Sequence, residues 1–291
     1  MKAAAAALAL ALIAGQATAV AAEEKIAVVA AENFYGDIVR QIGGDRVAVV
    51  SIMSSPDQDP HLFETTPTTV RQIATAQIVV LNGANYDPWM EKLLAATPRS
   101  NRTAINVAHL TGRKPGDNPH LWYDPATMPA VATAIAEALG KADSAHAADY
   151  AARLKTTLAS LARITQRVEQ LKTKHAGSVV TATEPVFGPM AEALGLVMRN
   201  QRFQLAMMND TEPSARDVAA LERDLKDRRV KVLIYNRQVS EKLTERLRDI
   251  AARSKVPVVG VTETMPANTT FQDWLLGELD SLDKALSEPN S

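Results

Sequence analysis

Cysteine does not occur in the 291-residue chain. Its absence excludes disulfides and thiolate metal sites, and it leaves no thiol to accept a lipid. Charge of one sign is equally lacking, since 32 Lys and Arg face 33 Asp and Glu for a net charge of −1. The two signs are interspersed, so no nucleic acid or anionic membrane is marked as a partner. Aromatic residues make up only 4%, too few for the stacked platform that an organic ligand would favour. No His-Glu-x-x-His helix and no Gly-x-Ser-x-Gly elbow is present, so the familiar starting points for metal-assisted or serine hydrolysis are missing. Past the first residues, no apolar run approaches the length of a membrane span.

The first residues do form an apolar run, from Ala3 to Gly15 behind Met1 and Lys2, and it is too short to persist as a span. It is followed by Ala17-Thr18-Ala19 and Ala19-Val20-Ala21, both of the small-x-small type that signal peptidases cut, and then by charged Glu23, Glu24 and Lys25. Residues 1–21 therefore read as a signal peptide removed near Ala21. The expected product is periplasmic, without a direct membrane anchor, and a monomer. About 270 residues remain, comfortable for two domains of ordinary size.

Short β-branched runs at 26–30, 47–52, 78–82 and 103–106 alternate with amphipathic stretches at 34–42, 67–75 and 88–95. That alternation predicts a parallel α/β sheet. A helix over 126–141 leads to a much longer one over 144–174, with Tyr150, Leu154, Leu158, Leu161, Val168 and Leu171 at helical spacing. At 1.5 Å per residue this helix spans roughly 45 Å, the width of two small domains. Beyond Gly177 the alternation resumes, with strands at 179–183, 197–200, 230–235 and 256–261 and helices at 186–194, 214–227, 240–253 and 271–286. The predicted class is α/β: an N-terminal lobe over 22–141, a linker helix over 142–176 and a C-terminal lobe over 177–291, with a metal cleft between the lobes.

Two loops of matching form supply the chemistry. DPHLFE at 59–64 and NPHLWYD at 118–124 each present a histidine directly after a proline. Proline fixes its own φ and holds the preceding residue extended, so His61 and His120 stand on stiff elbows. Thr66 and Pro67 signal a helix start, which puts His61 between a strand end and a helix, the edge where open α/β sheets bind ligands. Glu184 and Glu263 follow predicted strands at the same edge of the second half. Two imidazoles and two carboxylates can close the shell of a divalent first-row metal without water, which suits binding and release. Zinc or manganese, with ferrous iron as a third option, fits a thiolate-free set of this kind. Glu64 and Asp124 are expected to accept the spare ring N–H of the histidines, and Asn82 and Asn236 to brace the cleft. His109, His146 and His175 are expected at the surface. A zinc hydrolase with an open coordination position and a receptor for an organic solute stand as rival readings.

The stretches DPHLFETTPTTV, LNGANYDPWM, NPHLWYDP, TEPVFGPMAEALGL, EPSARDVAAL and VPVVGVTET resemble the periplasmic zinc/manganese receptors of ABC transporters, the metal-binding cluster of the solute-binding proteins. Nearly the whole mature chain takes part in the likeness. It implies His61 and His120 as metal ligands and Glu184 where the family places histidine or glutamate. Glu263 stands where aspartate is commoner. It also implies delivery of the ion to an ABC permease in the membrane, and small lobe tilts about a stiff helical spine in place of wide closure. The family's histidine-rich loop is missing here, which weakens a zinc-specific assignment.

Overall fold

The computed structural model describes residues 24–55, 63–239 and 241–288. The expected leader therefore lies outside the described residues. In the first half, β1 (Ile26–Glu32), β2 (Val47–Met53), β3 (Ile78–Leu81) and β4 (Thr103–Asn106) form a parallel sheet in the order β2-β1-β3-β4. Val28 lies opposite Ile78 and Ile26 opposite Val47. β3 is buried along its whole length, as a strand covered by helices on both faces must be. Those helices are α1 (Asn33–Gly43), α2 (Pro67–Thr75), α3 (Pro88–Ala96), the short α4 (Val107–Leu110) and α5 (Thr127–Ala142). α2 begins where the sequence signals it, because Thr66 accepts the amide of Thr69 and Pro67 occupies the first turn.

The second half repeats the plan. β5 (Val179–Ala182), β6 (Val197–Arg199), β7 (Leu233–Asn236) and β8 (Val258–Val261) take the order β6-β5-β7-β8, all parallel. In each sheet the chain leaves the first strand toward one neighbour and returns on its other side. That reversal opens a crevice at the carboxyl ends of the first and third strands. The covering helices are α7 (Gly188–Ala193), α8 (Gln201–Met208), α9 (Ala215–Lys226), α10 (Lys242–Arg253) and α11 (Phe271–Ser287).

Between the sheets runs α6 (Ala147–His175), 29 residues long. A 3-10 turn at Ser144–His146 precedes it, where Asp143 holds both the His146 ring and the Tyr150 hydroxyl. α6 packs on α1 and α5 of one half and on α11 of the other. Arg167, Lys174 and His175 on α6 converge on Asp283 of α11. Partial burial pushes the Asp283 carboxyl up, but hydrogen bonds from Lys174, His175 and Arg167 outweigh it and hold it well below the usual range. His175, expected at the surface, is thus buried and paired with Asp283.

Val28 and Val80 of the first sheet share one hydrophobic cluster with Val180, Ile234 and Val259 of the second. This shared cluster joins the halves, and a separate cluster lies on the other face of each sheet. Several elements depart from the sequence expectation, among them the following. The helix expected over 186–194 is divided into a 3-10 turn at Pro185–Phe187 and α7, because Pro189 has no N–H to continue the ladder from the preceding turn. α8 was not anticipated: Asn200 turns the chain in the left-handed region, φ 59°, and starts a helix directly behind β6. β8 begins only at Val258, after Pro257, which cannot donate to the ladder.

Candidate metal centre

Three of the four expected ligands meet in the crevice between the halves. Pro185 forces Glu184 into extended geometry beyond β5, at φ −143° and ψ 161°. Glu263 follows β8, and Asn236 ends β7 on the neighbouring strand. The Asn236 amide nitrogen donates to Glu184 Oε2 at 3.0 Å and to Glu263 Oε1 at 2.6 Å. From the first half comes His120, fully buried after Pro119, with its Nε2 3.4 Å from Glu263 Oε2. His61 lies in segment 56–62, outside the described residues.

Protonation follows from the neighbours. Asn118 donates from Nδ2 to the Pro185 carbonyl at 2.7 Å, and its Oδ1 accepts the His120 backbone N–H at 3.1 Å, which fixes the amide orientation. That oxygen also lies 2.7 Å from His120 Nδ1, so Nδ1 carries the ring proton. Among the described residues the buried Nε2 makes no hydrogen bond, and it lies 3.4 Å from Glu263 Oε2. A nitrogen and a carboxylate oxygen so placed can share a cation between them. The approach of Asn118 depends on Gly188, where a Cβ would stand 2.7 Å from Asn118 Nδ2.

Among the described residues, no three His, Cys, Asp or Glu side chains are gathered closely enough to hold a metal alone. The amide of Asn236 is interposed between the two carboxylates and spreads them. Its two hydrogen bonds moderate their mutual repulsion in a buried place.

The wall around His120 is aromatic. Trp122 meets the imidazole edge-on at 5.4 Å and Tyr86 at 4.9 Å, and Phe34 lies 4.7 Å behind it. Such a wall excludes water and strengthens every charge interaction inside it. Tyr86 donates its hydroxyl to Glu263 Oε2 at 2.9 Å. Burial, reinforced by the Glu263 charge, pushes the phenol well above its usual range, so it stays a donor. Behind it lies Glu32 at the end of β1, fully buried, with neither oxygen partnered among the described residues. Burial and then repulsion from Asp87 push the Glu32 carboxyl well above the usual carboxylate range. Burial also raises Asp87 to about 6, against the amides of Gly83 and Asn82 that donate to it at 2.7 Å.

Comparison with known proteins addresses what such a crevice is for. The family described as zinc-uptake complex component A, periplasmic, matches residues 28–285. The chain belongs to the ZnuA family. It is therefore an extracytoplasmic metal-binding protein of the kind that serves metal ABC transporters, and not an enzyme. A Treponema pallidum (strain Nichols) protein described as metal-binding is 23% identical over 289 residues, 91% of this chain and 88% of its own length. A manganese ABC transporter substrate-binding lipoprotein of Streptococcus gordonii is 28% identical over 159 residues, 50% of this chain. That match spans about half the relative's length, 51%. The solved periplasmic zinc binding protein of Treponema pallidum shares the fold, with a TM-score of 0.78 at 21% identity over 91% of this chain and all of the other.

Around the ligands, this ZnuA-family chain departs from the sequence reading in instructive ways. Asp124 does not accept a histidine ring N–H; it pairs with Arg113 at 3.2 Å, and Asn118 serves His120 instead. Glu64 is exposed. Asn82 does brace the cleft, donating to the Pro119 carbonyl at 2.8 Å while accepting from Tyr35 at 2.7 Å. Asn236 braces it through both carboxylates. His109 is exposed and His146 pairs with Asp143. Asn118, Tyr86 and Glu32 were missed. The first two lie inside the NPH and ANYD motifs, and Glu32 is a lone charge closing an apolar strand, a pattern that signals a buried polar role.

Proposed function

We propose that this chain is the receptor of a metal ABC importer, capturing one divalent transition metal outside the cytoplasm and passing it to the membrane permease. The observation that carries the reading is the buried Nε2 of His120 set 3.4 Å from the Glu263 carboxylate, with no hydrogen bond among the described residues. His120, Glu184 and Glu263 are the proposed described ligands, and His61 completes the set from its stiff Pro-His elbow. Zinc or manganese is the proposed cargo, with ferrous iron as a third option. A nitrogen and oxygen set without thiolate accepts all three, and affinity alone favours zinc. The relatives named above include one named for zinc and one for manganese.

The lobes are proposed to comprise 22–141 and 177–291 about the linker at 142–176, in a monomeric periplasmic protein whose leader is cut near Ala21. With one cluster shared by both sheets and α6 packed on each half, ion release proceeds by small tilts and loop rearrangement. The large groove of about 490 Å³ nearby is lined by Asn118, Pro185, Met198 and Leu205 rather than by the proposed ligands. Its position gives no support to an organic solute in the crevice.

The test is metal analysis by mass spectrometry of protein purified from its own periplasm, followed by competition among zinc, manganese and ferrous iron. One tightly held equivalent of a single metal is expected. Protein that carries no transition metal and acquires none on titration would refute the reading.

A further inference from the structure

A buried carboxyl outside the ligand set counts its protons through its neighbours. Glu278, on α11, lies behind the strand end that carries Glu263. Its Oε1 accepts from Trp274 Nε1 at 2.9 Å and from the Thr262 backbone N–H at 3.3 Å. Its Oε2 lies 2.8 Å from the hydroxyl of Tyr123, and that same hydroxyl lies 2.7 Å from the Thr262 carbonyl. A phenol has one proton, and a backbone carbonyl only accepts. Tyr123 must therefore donate to Thr262. The second short contact then needs a proton of its own, and only Glu278 can supply it.

We infer that Glu278 works as a neutral carboxylic acid, a positioning residue whose proton ties the strand end bearing Glu263 to the turn bearing His120. The inference rests on the ligand roles proposed above. Tyr123 belongs to the 3-10 turn that His120 opens, and Thr262 immediately precedes Glu263, so the acid links one ligand-bearing element from each half. Neutrality has a second effect, since an ionised Glu278 would add a third negative charge behind Glu184 and Glu263.

The electrostatics agree. Burial pushes the Glu278 carboxyl up to about 8, although its hydrogen bonds with Tyr123, Trp274 and the Thr262 N–H, and the Arg237 charge, draw it down. Tyr123 is itself raised well above the usual phenol range, first by burial and then by Glu278, with Glu263 adding to it. Among the described residues, Tyr123 from the His120 turn and Arg237 beyond β7 are the titratable and charged groups that face Glu278, while Glu263 beyond β8 acts on Tyr123. When Glu278 ionises, Tyr123 turns its only proton toward the carboxylate and releases the Thr262 carbonyl, loosening the Glu263 strand end as pH rises past about 8.

Glutamine is the isostere of the neutral acid. Its amide nitrogen donates to Tyr123, and its oxygen accepts from Trp274 and Thr262. The experiment compares wild type, Glu278→Gln and Glu278→Ala in the full chain, with zinc ion as probe against a chelator from pH 7 to pH 9. Near-UV circular dichroism checks the fold of each. At neutral pH, Glu278→Gln should keep wild-type affinity while Glu278→Ala weakens it by about 10–100-fold, the usual loss when a partner behind the ligands is removed. Above pH 8, wild type should fall away relative to Glu278→Gln. The wild-type minus Glu278→Gln infrared difference spectrum of metal-free protein should show a protonated-acid carbonyl band at neutral pH that fades with alkali. A glutamine variant as weak as the alanine variant, or the absence of that band, overturns the inference. A wild type that shows the band yet binds no zinc would count against the proposed function instead.

Discussion

His120→Ala is expected to lower zinc affinity by more than about 100-fold, beyond the loss typical of residues that merely orient a ligand. The substitution removes the one described nitrogen donor of the site. It also leaves Glu263 Oε2 facing a void in the aromatic wall of Trp122 and Tyr86. A buried carboxylate deprived of its counterpart is costly, even with the Tyr86 hydroxyl still donating to that oxygen. His109→Ala is the matched control, because that imidazole is exposed and outside the proposed ligand set. Chelator competition measures both. Equal affinity in the two variants would remove His120 from the ligand set.

Metal loading should stabilise the fold by about 4 kcal/mol at a thousandfold excess of free ion over Kd. For a chain of this size that raises Tm by roughly 8 °C. The effect is large because the donors come from separate strand ends and converge only in the folded state. In the metal-free protein the Asn236 amide donates to both buried carboxyl groups, Glu184 and Glu263. The ion binds the folded state and has no comparable site in the unfolded chain. Scanning calorimetry with zinc, then with excess EDTA, checks the prediction. The gain should vanish with chelator and be absent from His120→Ala. An unchanged Tm on zinc addition would mean that the ion does not bind the folded crevice.

Much of the architecture was legible because its signals are local. Thr66 and Pro67 mark the start of α2 to the residue, and the apolar spacing from Tyr150 to Leu171 marks α6. α8 was hidden because it begins at a left-handed Asn200, where propensity gives no cue. The candidate ligands His120, Glu184 and Glu263 were readable from prolines and strand ends, since those features constrain the backbone directly. What lies behind them was not. Asn118 beside His120, Asn236 between two carboxylates and the proton on Glu278 depend on contacts between residues far apart in the chain. The preference for Asp124 as the partner of His120 failed for the same reason. Sequence proximity suggested it, but Arg113 claims its carboxylate.

The most direct test of a shared cation is the crystal structure of zinc-loaded protein with anomalous diffraction at the zinc edge. The account predicts one strong peak between the halves, about 2.0–2.2 Å from His120 Nε2 and from carboxylate oxygens of Glu184 and Glu263, with His61 closing the shell. A peak held instead by His109, His146 or His175, or no peak in the crevice at full zinc occupancy, would contradict it.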